Sequence, residues 1–185
     1  MDDVDHARNR RLLVIDDNPA IHDDFIKIFK VAAGNKELES DEALIFGEVA
    51  RGSSIPAFEI DSVFTGQEGV VLAVSAMEAR CPYAVAFVDM RMPHGWDGIE
   101  TVIQLWKVCP DLQVVICTAY AEFLWDSINS RLGQSDQVLV LKKPFDAVEV
   151  LQLAQTLAEK WRLLQQSHRY RHAGFTGHHA CQARR

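Results

Sequence analysis

Two regimes of hydrophobic patterning alternate along the chain. Short runs of apolar and β-branched residues at 11–15, 58–63, 83–88, 113–117 and 137–141 are separated by longer stretches in which apolar residues return every three or four positions. Runs such as VVIC (114–117) and LVL (139–141) lack polar alternation, the pattern of strands covered on both faces. The predicted fold class is α/β, a doubly wound five-stranded parallel sheet with helices in the intervals. The first helix begins near Pro19, a residue suited to a first turn, and carries Ile21, Phe25, Ile28 and Phe29 on its inner face. Further helices are predicted over 67–79, 98–108, 121–132 and from 146 onward.

Two stretches exceed what such a sheet needs. Residues 34–57 are too long for an ordinary helix-to-strand connection and read as an insertion, with a short amphipathic helix over 41–49. The last helix has no Pro or Gly until Gly174, and Val150, Ala154, Leu157, Trp161 and Leu164 follow alternating steps of four and three, the spacing of a two-helix seam. Val150 and Ala154 are expected in the core. Leu157, Trp161 and Leu164 are expected to extend beyond it as an apolar stripe favouring a symmetric homodimer through this extended fifth helix, 146–167.

Composition narrows the class further. The 185 residues, 48% hydrophobic and 24% charged, fit one globular domain, predicted over 10–167, followed by a disordered tail at 168–185. No apolar run approaches the roughly 20 residues of a membrane span, and no signal-peptide pattern opens the chain, so a cytoplasmic location is expected. A formal charge of -7 argues against a nucleic-acid surface. The basic residues Arg169, Arg171, Arg184 and Arg185 read as a solvated tail. Four cysteines, at 81, 109, 117 and 181, show no pairing pattern and are read as thiols. His168, His172, His178, His179 and Cys181 are potential zinc ligands, but their spacing is irregular and a solvated tail is the preferred reading.

The candidate chemistry stands at the C-terminal ends of the predicted strands, where parallel sheets open their binding crevices. Strand one ends in Asp16 and Asp17, strand three in Asp89, strand four in Thr118, and strand five in Lys142, Lys143 and Pro144. Three adjacent carboxylates repel one another unless a cation joins them, and magnesium suits a site with few protein carboxylates and exchangeable waters. An aspartate can accept a phosphoryl group once the charge on the moving group is neutralised. A metal joined to Asp89, a hydroxyl hydrogen bond from Thr118 and the charge of Lys143 supply that neutralisation. Lys142 is expected to point the opposite way along the strand, to the surface. Trp96, after Asp89, is read as packing. Trp125 lies off the stripe of Leu124, Ile128 and Leu132 and belongs either to a partner surface or against the fifth strand.

On the segments LLVIDDNP, FVDMRMPHGWDG, ICTAY and LVLKKPF, the chain resembles the response-regulator receiver family of two-component signalling. The resemblance covers about residues 11–160 apart from 34–57, and it implies the flavodoxin-like receiver fold. It further implies that Asp89 is the phosphoacceptor and that Asp16, Asp17 and the backbone carbonyl of Arg91 join Asp89 in holding Mg2+. Thr118 and Lys143 would be the switch hydroxyl and the phosphate-pairing lysine, with a cis peptide before Pro144. The implied partner is a sensor histidine kinase or phosphotransfer protein, with output through protein contacts. One departure is Val140, where the family often has an aromatic residue coupled to the strand-four hydroxyl. The competing readings are a phosphohydrolase with an aspartate nucleophile, which would carry that residue in a DxD-like motif on strand one, and a scaffold that keeps the shape without the phosphate. The adjacent acid pair and separate Asp89 favour a receiver over the first, and the intact acids, hydroxyl and lysine argue against the second.

Overall fold

A computed structural model describes residues 9–46, 57–93, 95–120, 128, 130–133 and 135–176, with backbone alone over 34–46 and 172–176. Five strands, β1 (Arg11–Ile15), β2 (Glu59–Val63), β3 (Val85–Asp89), β4 (Gln113–Thr118) and β5 (Val138–Lys142), form one parallel sheet in the order β2-β1-β3-β4-β5. Helices α1 (Pro19–Phe46), α2 (Gly66–Glu78) and α3 (Gly98–Val108) lie between strands, and a C-terminal helix spans Ala147–Thr176. Of the helix expected over 121–132, residues 128 and 130–132 are helical, while 121–127 and 129 lie outside the described residues. The strand order reverses between β1 and β3, which places the ends of these two strands beside the crevice of an open parallel sheet.

Alternation along each strand divides the core into two layers. Leu13, Ile15, Ala86, Val88, Val114 and Ile116 face α2 and α3 through Ala73, Ala76, Ile99, Val102 and Leu105. Their neighbours Leu12, Val14, Val85, Phe87, Val115 and Cys117 face α1 and the C-terminal helix through Phe25, Phe29, Val150, Ala154, Leu157 and Trp161. With both faces covered, β1, β3 and β4 read as nearly continuous apolar runs, whereas the edge strand β2 carries Asp61 and Ser62 in its interior. Phe25 is the hinge of the second layer, with ring centroids 4.8 Å from Phe87 and 5.5 Å from Phe145. Local signals fix the helix starts: Thr65 and Glu68 form a reciprocal capping box on α2, and Asp97 caps α3 through the Glu100 amide.

Three expectations need correction. Residues 34–46, read as part of an insertion with its own helix at 41–49, continue α1 without a break, through Gly34 to Phe46. A single interior glycine costs about 1 kcal/mol relative to alanine, too little to end a helix flanked by Ala32, Ala33, Glu37 and Leu38. Residues 47–56 lie outside the described residues. The C-terminal helix likewise runs past residue 167, so that the first part of the expected tail is helical. Gln165 Nε2, just before that part, donates to Asp111 Oδ2 at 2.8 Å, and His168 Nδ1, within it, lies 3.3 Å from the same oxygen. His178, His179 and Cys181 lie outside the described residues, as does Trp125.

The third correction concerns the expected dimer seam. Leu157 and Trp161 are 3% and 2% exposed and belong to the protein's own core, while Leu164 is half-buried. The helix continues along the sheet beyond its N-terminal edge, and Trp161 closes that end beside a cavity of about 90 Å³ also lined by Met77, Tyr83 and Leu112. Heptad spacing records that these residues share a face; the surface opposite is this domain rather than a second chain. No helix among the described residues is long and apolar enough to cross a bilayer.

Trp161→Ala is therefore expected to lower folding stability by about 3–5 kcal/mol, the cost of emptying a buried tryptophan site. Leu163→Ala, on the exposed side of the same helix, should stay within about 0.5 kcal/mol of the parent. Urea denaturation of the two variants compares them directly.

Candidate functional site

The site forms at the switch point of the sheet. Asp16 follows β1, Asp89 ends β3, Thr118 ends β4, and Lys143 follows β5. Parallel pairing in register, with Asp89 beside Cys117 and Thr118 beside Lys142, brings all of these ends to one edge. Lys143, 127 residues from Asp16 in sequence, places its Nζ 2.5 Å from Asp16 Oδ2 and 2.5 Å from Asp89 Oδ1. The ammonium thus bridges two carboxylates that are nearly out of water, their side chains 3% and 10% exposed.

The remaining side-chain oxygens of this group are held by backbone amides. Asp89 Oδ2 accepts from the Arg91 amide at 2.7 Å, and Asp16 Oδ1 accepts from the Asn18 amide at 3.0 Å. Thr118 Oγ1 accepts from the Tyr120 amide at 3.1 Å, and the Thr118 carbonyl receives the Lys143 amide at 2.8 Å. Its hydroxyl hydrogen can therefore turn toward an oxygen in the crevice. The peptide between Lys143 and Pro144 is cis, as the resemblance implies.

The electrostatics follow from burial and pairing. Burial pushes the Asp89 carboxyl above the usual carboxylate range, and this outweighs the lowering effect of Lys143. Burial acts on Lys143 in the opposite sense, but hydrogen bonds to Asp16 and Asp89 outweigh it and hold the amine protonated to a higher pH than usual. Burial also pushes the Cys117 thiol up, so it offers no thiolate to the site.

Of the residues read from the sequence as site residues, Asp16, Asp89 and Lys143 meet directly, and Thr118 is buried at the adjoining strand end. Asp17 is exposed. Arg91 presents its amide to Asp89 and its guanidinium 4.5 Å from the centre of the Tyr120 ring. Lys142 is exposed, on the opposite side of the strand from its neighbour's contacts, and Trp96 is half-buried.

No three His, Cys, Asp or Glu side chains among the described residues stand together as a ready-made metal cage. The donor chemistry nevertheless suits a hard divalent cation. Asp16 and Asp89 already share one positive centre, and magnesium needs only one or two carboxylates when waters complete its shell.

Sequence reasoning missed three contributors. Gly98 lets α3 start directly against the phosphoacceptor candidate: a Cβ there would lie 2.6 Å from the Asp89 carbonyl oxygen and 2.8 Å from Met90 Cα. Its signal was the Asp97-Gly98 pair, where a capping residue meets a residue without a side chain. Tyr120 and His22 gave no pattern, because their contacts are made across the fold.

No protein-family description matches the sequence, and no curated protein matches it. Solved structures do. A response regulator receiver domain protein from Methanospirillum hungatei is 19% identical, with a TM-score of 0.56 over 83% of this chain and 97% of its own. The fold is that of a receiver domain. A receiver domain protein from Clostridium thermocellum agrees, at 17% identity and a TM-score of 0.58 over 83% of this chain and 98% of its own. An adenylate cyclase from Rhodopirellula baltica matches similarly, at 18% identity and a TM-score of 0.59 over 88% of this chain and 97% of its own. The structural neighbours are mostly receiver domains.

The raised Asp89 value carries a sign that can be tested. A carboxyl that binds its proton more tightly when folded makes stability fall as pH rises from the ordinary aspartate range through the raised value, so ionised Asp89 is a net cost at neutral pH. Asp89→Asn should raise stability at pH 7. The gain should shrink as pH falls below the ordinary aspartate range. Denaturation midpoints measured across pH check both the sign and the trend.

Proposed function

We propose that this receiver fold acts as a response regulator in two-component signalling, taking a phosphoryl group from a histidine kinase or phosphotransfer protein onto Asp89. The observation that supports it best is the single ammonium of Lys143 held 2.5 Å from both Asp16 and Asp89 at the switch point. Bound Mg2+ would neutralise the charge of the entering phosphoryl group, with Asp16, Asp17, Asp89 and the Arg91 carbonyl as the residues to hold it.

The protein's own contribution is positioning. The Arg91 amide holds Asp89 Oδ2, which leaves Oδ1, the oxygen now facing Lys143, as the nucleophile. Attack of Oδ1 on phosphorus forms the acyl phosphate and releases the donor's imidazole or other leaving group. Lys143 exchanges a carboxylate oxygen for a phosphoryl oxygen, and Thr118 turns its hydroxyl hydrogen to another. No general base is needed, since the attacking oxygen is an anion. The product is a modified surface read by protein contacts; the domain serves as a signalling module rather than an enzyme of turnover, in the cytoplasm.

Self-association through the C-terminal helix is part of the proposal in reduced form. With Leu157 and Trp161 in the core, the exposed large apolar residues of this helix among the described residues are Val148, Leu163 and Tyr170, the last two 52% and 78% exposed and seven positions apart. Sedimentation of the chain beside a Leu163→Glu, Tyr170→Glu variant tests this. A dimer that the variant abolishes supports the contact, and a monomeric parent at tens of micromolar rejects it.

Acetyl phosphate or a phosphorylated kinase should label the chain only with Mg2+ present, and Asp89→Asn should abolish the label. Equal labelling of that variant would overturn the assignment. Lys143→Ala should blunt the phosphorylation-induced change in hydrogen exchange, whereas Lys142→Ala should leave it near that of the parent. Equal losses in the two variants would count against the role given to Lys143.

A further inference from the structure

His22 is buried, 6% exposed, on the first turns of α1, and it belongs to none of the roles above. Its Nε2 lies 2.7 Å from the backbone carbonyl oxygen of Asp16. A carbonyl only accepts, so Nε2 carries a proton and donates it to this bond. Nδ1 is buried with no hydrogen-bond partner among the described residues. The ring also packs against Phe64, with centroids 4.7 Å apart.

The carbonyl that His22 engages belongs to the peptide joining Asp16 to Asp17. β1 ends at Ile15, so this carbonyl has left the regular ladder and needs a donor from elsewhere. The other polar atoms of Asp16 are already engaged: its amide donates to Val63 O at 3.2 Å, Oδ1 accepts from the Asn18 amide, and Oδ2 faces Lys143. A peptide is planar, so holding the Asp16 carbonyl also fixes the direction in which the chain leaves for Asp17. The bond therefore sets how the acid pair is presented.

We propose that His22 is a positioning residue for the acidic turn, fixing the Asp16-Asp17 peptide through its Nε2–H and so setting the affinity of the turn for a divalent cation. This rests on the phosphoacceptor reading, in which Asp16 and Asp17 hold Mg2+. Packing against Phe64 alone would require only a ring or other bulk at position 22. The proposed role requires a donor at the place of Nε2. Groups that orient metal-binding residues in this way typically change affinity by about 10- to 100-fold when removed.

The test is Mg2+ titration of the full chain by calorimetry, with Mn2+ binding followed by electron paramagnetic resonance, for the parent and for His22→Gln, His22→Asn and His22→Leu. The glutamine amide reaches the position of Nε2 and should keep affinity within about threefold of the parent. Asparagine reaches only the position of Nδ1 and leucine offers no donor, so both should lose about tenfold or more. Thermal unfolding without cation checks folding, and the comparison of glutamine with asparagine decides the matter if the leucine variant does not fold. Equal affinity in parent, Gln and Asn variants overturns the role of His22 while leaving the cation site standing. So does loss in the Gln variant as large as in the Asn variant. Absence of Mg2+ and Mn2+ binding by the parent itself overturns the cation reading, and this inference with it.

Discussion

The ammonium of Lys143 sits between two carboxylates that the fold has largely removed from water. Without it, Asp16 and Asp89 would face one another across the switch point with only backbone amides for support, and burial of two like charges is costly. The rest of the site can be understood as what keeps this arrangement in place. Parallel pairing of β1 with β3 sets the spacing of the acids, and pairing of β4 with β5 delivers the lysine. The Lys143 amide is itself anchored on the Thr118 carbonyl, so backbone and side chain of one residue connect three strand ends.

Such a centre is not optimised for stability. The same burial that raises the Asp89 carboxyl above its usual range makes the resting charge expensive, and the lysine offsets only part of it. A replacement cation or an incoming phosphoryl group can redistribute the same contacts, because Lys143 has one flexible side chain and two competing partners. This is the physical sense in which the site is poised: its ion pairs are close, partly exclusive and able to be exchanged. A wholly apolar strand end would be more stable and would do nothing.

Much of this was legible in the sequence because of how sheets are covered. All five strands were readable, β1, β3 and β4 because burial on both faces leaves apolar runs and the more exposed edge strands β2 and β5 as short runs between helical stretches. The chemistry followed from asking what stands just after each run. Asp89, Thr118 and Lys143 were found in that way despite lying far apart in the chain. What failed to show were identities of neighbours. The spacing of Leu157 and Trp161 revealed a common face but not that the face meets this domain's own core. The length of 34–57 suggested an insertion, yet the first helix runs on through Gly34, whose local penalty is outweighed by the residues around it. His22 fell between Ile21 and Phe25 of an apolar stripe and showed nothing of the carbonyl it meets.

Val140 bears on how a change at the site would be passed on. An aromatic side chain there could follow the strand-four hydroxyl into a space it vacates; valine is half-buried at the edge of the core and has little reach. In this chain the hydroxyl is instead bound by the Tyr120 amide, two residues farther along the loop. If Thr118 turns its oxygen toward a phosphoryl group, the amide loses that acceptor at a partly buried point beside an exposed tyrosine, where water can take its place at small cost. The Tyr120 ring, in turn, lies against the guanidinium of Arg91, whose own amide holds Asp89. The loop after β4 is thus linked to Asp89 through the Tyr120 ring and Arg91. Under the proposed phosphorylation, movement of that loop would register the state of Asp89 without an aromatic residue on β5.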